Sequence, residues 1–371
     1  MQIGVSKLKN KIIMLLITKP VPLPLEEILL LVQQTSDHPL NDKFRDNYKI
    51  IWLPLPSSDV WTEAEEASFN FLSESLPWYA VRKPRLLSSA VVNYIRQEWN
   101  YKEEEPLMVV LDSNGKVVNT NALDMVKIWG PKACPFSALK EAELWQHENL
   151  TMKLLLDDIN PLLAYWVEEG KNLCLYGSDN MGWIQQFNGK TEELKRNGLK
   201  LENVYVGKKE LSEKVKQIMA KLTQSNPSNS LSITSLQFFW LRLESMRRSK
   251  SRTRKASSDS DHVLAELSSL LDMNDDDGEE EEGWVVIGRG SDEIMRLQGR
   301  KVMECLYKYN EWVENVETLG LVGAIRCFVE PPFVEGTCGH SYIVPSSEGQ
   351  IEGIVVCEMC KRPMKKYVVY E

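Results

Sequence analysis

Cysteine is missing from the first 133 residues of this 371-residue chain. All seven cysteines come later, at positions 134, 174, 305, 327, 338, 357 and 360. An odd number of cysteines at irregular spacing does not form a disulfide framework, so we expect a reducing, cytoplasmic compartment. The same absence excludes the usual dithiol chemistry from the N-terminal part of the chain.

Long apolar runs are missing as well, since no stretch approaches the roughly 20 residues that span a bilayer. Lysines precede the run IIMLLI (12–17), as in a secretory signal, but no small-residue cleavage site follows it, so we expect no secretion. The formal net charge of -9 argues against a nucleic-acid-binding surface over the whole molecule. Length and composition favour a soluble globular protein of about two domains and a small appendage.

Strand and helix patterns alternate in the N-terminal part. We predict strands at 11–18 and 48–56, helices at 23–34, 62–76 and 88–99, and a hairpin within 106–122 that turns at Asn114-Gly115. A βαβ unit followed by a hairpin is typical of a thioredoxin-like fold, in which Pro106 would occupy a common cis-proline position.

The predicted fold has no redox site. A thioredoxin-type enzyme carries its Cys-x-x-Cys after the first strand, where this chain has TKPVPLPL (18–25). We therefore predict a thioredoxin-like domain at 1–148 without a redox cysteine pair, and we interpret Cys134 as a structural thiol.

A second α/β domain is predicted at 149–330. The patterns indicate helices at 160–170, 181–198, 212–222 and 292–316, and strands at 172–177, 201–207, 236–246 and 283–291. These elements make the fold class α/β throughout.

A charged insertion interrupts this second domain at about 247–283. It is basic and serine-rich first and acidic afterwards, with a short helix at 262–271, so we expect it to be mobile and to be cut first by trypsin. The acidic run fails the EF-hand spacing, which leaves only weak, unspecific calcium binding open.

The tail at 331–371 contains Cys338-x-His340, followed after sixteen residues by Cys357-x-x-Cys360. Three thiolates and one imidazole are a known structural zinc set, so we predict a zinc-knuckle-like tail with these four residues as metal ligands. Two alternatives stay open: four residues that never bind a metal, and a redox pair formed by Cys357 and Cys360.

Several blocks of the sequence carry a family resemblance. They are LPWYAV (76–81), PLMVVLDSNGKVVNTNALDMVKIWGPKACPFS (106–137), FFWLRLESM (238–246), GWVVIGRGS (283–291) and the ending with CGH and VVCEMCKRPMKKYVVYE. In these blocks and their order the chain resembles the plant sieve element occlusion family, the structural phloem proteins.

The resemblance implies a non-enzymatic protein of the sieve-element cytoplasm that forms filaments with other family members and occludes sieve tubes after wounding. It also implies a thioredoxin-like domain without a redox motif, a calcium response in a legume subgroup, and a C-terminal Cys/His group that maps onto the four predicted zinc ligands. Full-length members carry a long helical N-terminal domain with no counterpart here, so we expect this chain to assemble poorly by itself. The alternatives are a nucleoredoxin-like thiol oxidoreductase and a generic cytosolic scaffold module.

Overall fold

Two mixed sheets and the helices around them form most of the chain. The computed structural model describes residues 8–20, 23–44, 46–55, 61–103, 105–225, 231–253, 261–272 and 283–330, and the backbone of strands at 341–345 and 365–369. These residues belong to two compact units, Met1–Tyr307 and Lys308–Glu371. The predicted α/β class is confirmed, whereas the predicted domain boundaries after residues 148 and 330 stay predictions.

The first sheet has five strands in the order β3-β2-β1-β4-β5. The central strand, β1 (Ile12–Thr18), is parallel to β2 and antiparallel to β4. Its apolar sequence IIMLLIT suits a position that is covered on both faces. Asp112 accepts hydrogen bonds from the backbone of Asn114 and Lys116 in the β4–β5 turn, where Gly115 has a φ of 82°. The strands are β1 (Ile12–Thr18), β2 (Tyr48–Pro54), β3 (Tyr79–Ala80), β4 (Leu107–Leu111) and β5 (Val117–Asn119).

Side-chain caps begin several helices of this part. Thr62 and Glu65 form a reciprocal capping box at the start of α3, and the hydroxyls of Ser88 and Ser137 accept backbone hydrogen bonds that begin α4 and α6. α1 continues into a π-helical turn at Gln33–Asp37. The helices are α1 (Leu25–Val32), α2 (Asn41–Phe44), α3 (Glu63–Ser75), α4 (Ser89–Glu98), α5 (Leu123–Trp129) and α6 (Ala138–Gln146).

Helices α3 and α4 lie on opposite faces of the first sheet. Trp52 and Leu53 are neighbours in β2, so their side chains point to opposite faces. Phe69 of α3 contacts the ring of Trp52 at a centroid distance of 5.4 Å. Ile95 of α4 belongs to the buried cluster that contains Leu53.

The second sheet repeats the strand order of the first without the extra edge strand. Its order is β7-β6-β8-β9. β6 is parallel to β7 and antiparallel to β8, and β8 is antiparallel to β9. The strands are β6 (Asn172–Gly177), β7 (Glu202–Tyr205), β8 (Trp284–Arg289) and β9 (Met295–Gln298).

Helices cover the second sheet and connect it to the first. Asn160, followed by a proline, caps α8, and Asn180 caps α9, which continues through Gly189 without a break. The helices are α7 (Met152–Leu156), α8 (Pro161–Glu168), α9 (Met181–Arg196), α10 (Glu213–Ser225), α11 (Ile233–Thr253), α12 (His262–Asp272) and α13 (Arg300–Tyr307).

Two secondary-structure predictions are wrong. The predicted strand at 236–246 is part of the 21-residue helix α11, and the predicted insertion from residue 247 begins inside that helix. A dense run of aromatic and aliphatic residues favours a strand locally, but tertiary packing decides the element. The predicted helix at 292–316 contains β9, because Met295–Gln298 pairs with β8 before α13 starts at Arg300.

The cis peptide bond of the described chain joins Cys134 and Pro135, so the expectation for Pro106 is also wrong.

The described part of the C-terminal unit contains two α-helices, a 3-10 turn at Val313–Asn315 and a strand pair. α14 (Tyr309–Trp312) is followed by α15 (Val316–Val329), which is interrupted at Gly320, where φ is 69°. β10 (Ser341–Pro345) pairs in parallel with β11 (Lys365–Val369). None of the helices in the described ranges has the length and apolarity to span a membrane.

Candidate functional site

The four predicted zinc ligands, Cys338, His340, Cys357 and Cys360, lie outside the described residues. Within the part of the chain that the structure describes, no three histidine, cysteine, aspartate or glutamate side chains are grouped to hold a metal ion. The zinc site therefore stays a prediction.

The turn after β1 is where a thioredoxin-type enzyme would carry its thiols. In this chain the hydroxyl of Thr18 accepts a hydrogen bond from Nε1 of Trp52 at 2.9 Å and donates to the carbonyl of Lys19 at 2.6 Å. The backbone N–H of Leu55 donates to the carbonyl of Thr18 at 2.8 Å. These bonds fasten the ends of β1 and β2 together.

Three of the four described thiols are poor nucleophiles. Burial raises the pKa of Cys134 and Cys174, and it raises the pKa of Cys305 to about 12. A thiol attacks as the thiolate, so these three groups are protonated and unreactive at neutral pH.

A buried carboxylate meets two partly exposed arginines where α11 crosses α5. Asp124, in the first turn of α5, pairs with Nη2 of Arg248 at 2.8 Å and with Nη1 of Arg252 at 2.5 Å. The Asp124 side chain is only 5% exposed. Burial by itself would raise the pKa of Asp124, but the charges and hydrogen bonds of Arg248 and Arg252 outweigh it, so the pKa lies below its usual value.

A second carboxylate joins this group from α6. Glu141 lies 3.1 Å from Nη2 of Arg252 and accepts a hydrogen bond of 2.5 Å from the hydroxyl of Ser249. Nε1 of Trp145 donates to the same hydroxyl at 2.8 Å. We call these six residues the α11 cluster: Asp124, Glu141, Trp145, Arg248, Ser249 and Arg252.

Further buried polar contacts surround the α11 cluster. The fully buried Arg242 donates to the carbonyl of Ile128 at 2.8 Å, which fastens α11 to α5 a second time. Lys127 of α5 pairs with Glu27 of α1 in a buried contact. Four helices, α1, α5, α6 and α11, are thus held together by paired charges.

His38 makes a separate link. Its Nδ1 accepts a hydrogen bond from the backbone of Leu40 at 3.0 Å, so the proton lies on Nε2 and is donated to Asp158 at 3.1 Å. Burial opposes the charged form of Asp158, but the hydrogen bond from His38 outweighs it and lowers the pKa of that carboxyl. The pair fastens the residues after α1 to the loop between α7 and α8.

The sequence patterns do not predict the α11 cluster, because they place Arg248 and Arg252 in the charged insertion. A signal was present: the buried face of α11 continues from Phe238 through Arg242, Ser245 and Ser249 in helical steps of three or four. That periodicity extends directly into the basic run.

Every charge of the α11 cluster faces an opposite charge on another helix, so the arrangement holds elements together and offers no unpaired acid or base to a substrate. The fold and this cluster define a mixed α/β protein whose buried charges fasten its helices.

Comparison with known proteins then identifies the family. Residues 139–371 match the family model described as sieve element occlusion C-terminus. The Arabidopsis thaliana protein SIEVE ELEMENT OCCLUSION C is 40% identical over all of this chain, which covers 52% of that relative. SIEVE ELEMENT OCCLUSION A from the same plant is 31% identical over all of this chain and is covered over 45% of its length. The chain belongs to the sieve element occlusion family and spans about half the length of these relatives.

Two solved structures are distant neighbours of this chain. Tryparedoxin I from Crithidia fasciculata is 22% identical, and the match covers 36% of this chain and 83% of that one at a TM-score of 0.27. Tryparedoxin from Trypanosoma brucei is 14% identical at the same coverage and TM-score. TM-scores at this level carry no argument about fold or function.

Proposed function

We propose that this chain is a non-enzymatic structural subunit of filaments that occlude phloem sieve tubes after wounding, in the cytoplasm of sieve elements and together with other family members. The observation that carries the proposal is the relationship itself, 40% identity to SIEVE ELEMENT OCCLUSION C over all 371 residues. The α11 cluster agrees with this role, because its charges pair with one another between helices.

Co-assembly with a full-length relative tests the proposal. The labelled chain is mixed with a full-length family member, and filaments are examined by electron microscopy, with an unrelated labelled protein of similar size as the control. We expect the label to enter the filaments and a tagged chain in the plant to collect on sieve plates after wounding. Exclusion from the filaments, or an even distribution among phloem cell types, would contradict the proposal.

We further propose that both sheets belong to thioredoxin-like folds that lack a redox pair. The support is their common strand order, in which two parallel strands precede an antiparallel hairpin on the other side of the first strand. An experimental structure in which β4 or β8 ran parallel to the central strand of its sheet would contradict this.

Zinc in the C-terminal tail is also a proposal, and it is carried by the spacing of Cys338, His340, Cys357 and Cys360. We expect about one zinc ion per purified chain, because four ligands complete one tetrahedral site. Cys357→Ser should release the ion, whereas Cys327→Ser, a matched change at a half-buried thiol of α15, should keep it. Elemental analysis that finds no zinc in the unmodified protein would contradict the site.

A further inference from the structure

Asparagine is followed by glycine at three places in the chain, Asn114-Gly115, Asn188-Gly189 and Asn197-Gly198. This dipeptide is chemically unstable, because glycine has no Cβ to shield its backbone nitrogen from the asparagine side chain that precedes it. The nitrogen attacks the side-chain carbonyl whenever the backbone brings the two atoms together. Since the three pairs share the same chemistry, the fold around each pair decides how fast it reacts.

The pair Asn188-Gly189 lies inside α9, where helical hydrogen bonds hold the backbone on both sides. The Asn188 side chain is held as well, because its Nδ2 donates to the hydroxyl of Tyr176 at 3.0 Å. The hydroxyl of Thr191 donates to the carbonyl of Asn188 at 3.1 Å. Attack at this pair requires several of these bonds to break together, so the helix protects it.

The pair Asn197-Gly198 closes the C-terminal end of α9. The N–H of Gly198 donates to the carbonyl of Lys195 at 3.0 Å, and the N–H of Leu199 donates to the carbonyl of Leu194 at 3.0 Å. Both leucines are buried, so opening this helix end exposes apolar side chains to water. Asn197 itself is exposed, and we expect its reactivity to lie between those of the other two pairs.

The pair Asn114-Gly115 lies in the exposed turn between β4 and β5. The N–H of Gly115 donates to the carbonyl of Asp112 at 2.9 Å, and the Asn114 side chain makes no hydrogen bond with any residue that the structure describes. β5 has only three residues and lies at the edge of the sheet, so opening the turn disturbs few contacts.

We propose that Asn114 is a site of spontaneous covalent modification, which reacts faster in the folded chain than Asn188 or Asn197. The backbone nitrogen of Gly115 forms a bond to Cγ of Asn114, while the bond from Cγ to Nδ2 breaks. The leaving amino group takes up the proton of the Gly115 nitrogen and departs as ammonia, which leaves a cyclic imide. Water then opens the ring at either carbonyl and produces aspartate, or isoaspartate with the main chain running through Cγ.

The modification changes the turn in two ways. Either product places a carboxylate close to Asp112, whose Oδ1 accepts the N–H groups of Asn114 and Lys116 at 2.9 Å, and like charges repel. Isoaspartate also lengthens the main chain between these two N–H groups by a methylene, which draws them away from the single oxygen that holds both. We therefore expect the β4–β5 hairpin to loosen after conversion to isoaspartate.

Incubation of the folded chain at mildly alkaline pH tests the order of reactivity, because the attacking nitrogen must lose its proton. Peptide mapping by mass spectrometry measures aspartate and isoaspartate at each pair over time. We expect Asn114 to convert about tenfold faster than Asn188, since local opening costs least at an exposed turn, with Asn197 in between. In urea, where no fold protects any pair, the three rates should become similar.

Asn114→Gln is the matched variant, because its longer side chain must close a larger ring, which forms more slowly. It should stop conversion at residue 114 and leave the rates at Asn188 and Asn197 unchanged. Asn114→Asp carries the new charge without the added methylene. Hydrogen exchange at the N–H of Gly115 should be about tenfold faster in the purified isoaspartate form than in Asn114→Asp, while exchange within α9 stays the same in both.

Two outcomes would overturn the proposed site. One is an equal rate at Asn114 and Asn188 in the folded chain, and the other is conversion of Asn114 in urea but not in the folded chain. Hydrogen exchange at Gly115 that is equal in the isoaspartate form and the unmodified chain would contradict the loosening of the hairpin.

Discussion

At the scale of single residues, Asp124 carries the strongest consequence. It is buried and pairs with two arginines of α11 whose side chains are partly exposed, by 44% and 35%. Removing one charge of a buried ion pair leaves the opposite charges without a partner, and this lowers the stability of the folded protein strongly. Solvent around the arginines reduces the loss.

We predict that Asp124→Asn lowers the free energy of unfolding by about 2 kcal/mol, somewhat below the range for a fully buried pair. Asp292→Asn is the control, because Asp292 is exposed and lies outside the α11 cluster. Urea denaturation of both variants measures the difference. Equal stability of the two variants would show that the arginines find other partners.

The same residue predicts a pH dependence. The pKa of Asp124 is lower in the folded chain than the usual value of about 3.9. Its stabilising contribution is therefore complete above that value and is lost as the pH falls through the lower folded pKa. We expect the stability difference between the unmodified protein and Asp124→Asn to be constant near neutral pH and to shrink below about pH 4. A difference that does not change down to pH 3 would contradict the lowered pKa.

At the scale of elements, local patterns predicted most of the first half. The central strand IIMLLIT, the capped helices after Thr62 and Ser88, and the turn at Asn114-Gly115 each carry their signal within a few residues. The prediction for α11 was wrong because FFWLRL favours a strand locally, while the residues that pack against α11 lie far away in the sequence. The pairing of Asp124 with Arg248 spans 124 positions, which no local pattern reports.

A proline substitution inside α11 tests whether this segment is a helix, as the structure has it, or the start of the predicted insertion. Arg247 is exposed within α11. Arg247→Pro should destabilise the protein by about 3 kcal/mol, because proline removes a helical hydrogen bond and clashes with the preceding turn. Arg247→Ala, which keeps the helix, should be nearly neutral. A proline variant as stable as the alanine variant would indicate that residue 247 belongs to a loop.

At the scale of the whole molecule, the thiols bear on the alternative function, a thiol oxidoreductase. Three of the described thiols have a raised pKa, and the first cysteine comes at position 134. Among the remaining thiols, Cys357 and Cys360 have the Cys-x-x-Cys spacing of a dithiol enzyme.

We expect the chain to reduce insulin in the presence of dithiothreitol no faster than a variant with Cys357→Ser and Cys360→Ser. The measurement is the rate of insulin precipitation, with a known thioredoxin as the positive control. Acceleration that disappears in the double variant would favour the oxidoreductase over the structural role.

The crossing of α11 over α5 and α6 also limits how genes for such proteins recombine. A crossover near codon 148 would join the Asp124 and Glu141 of one parent to the α11 of the other. The partners of these carboxylates lie 124 and 111 positions further along the chain, at Arg248 and Arg252. Such a hybrid keeps its buried carboxylates paired only if the parent that supplies α11 carries arginine at both later positions, so selection favours inheritance of the two distant segments together.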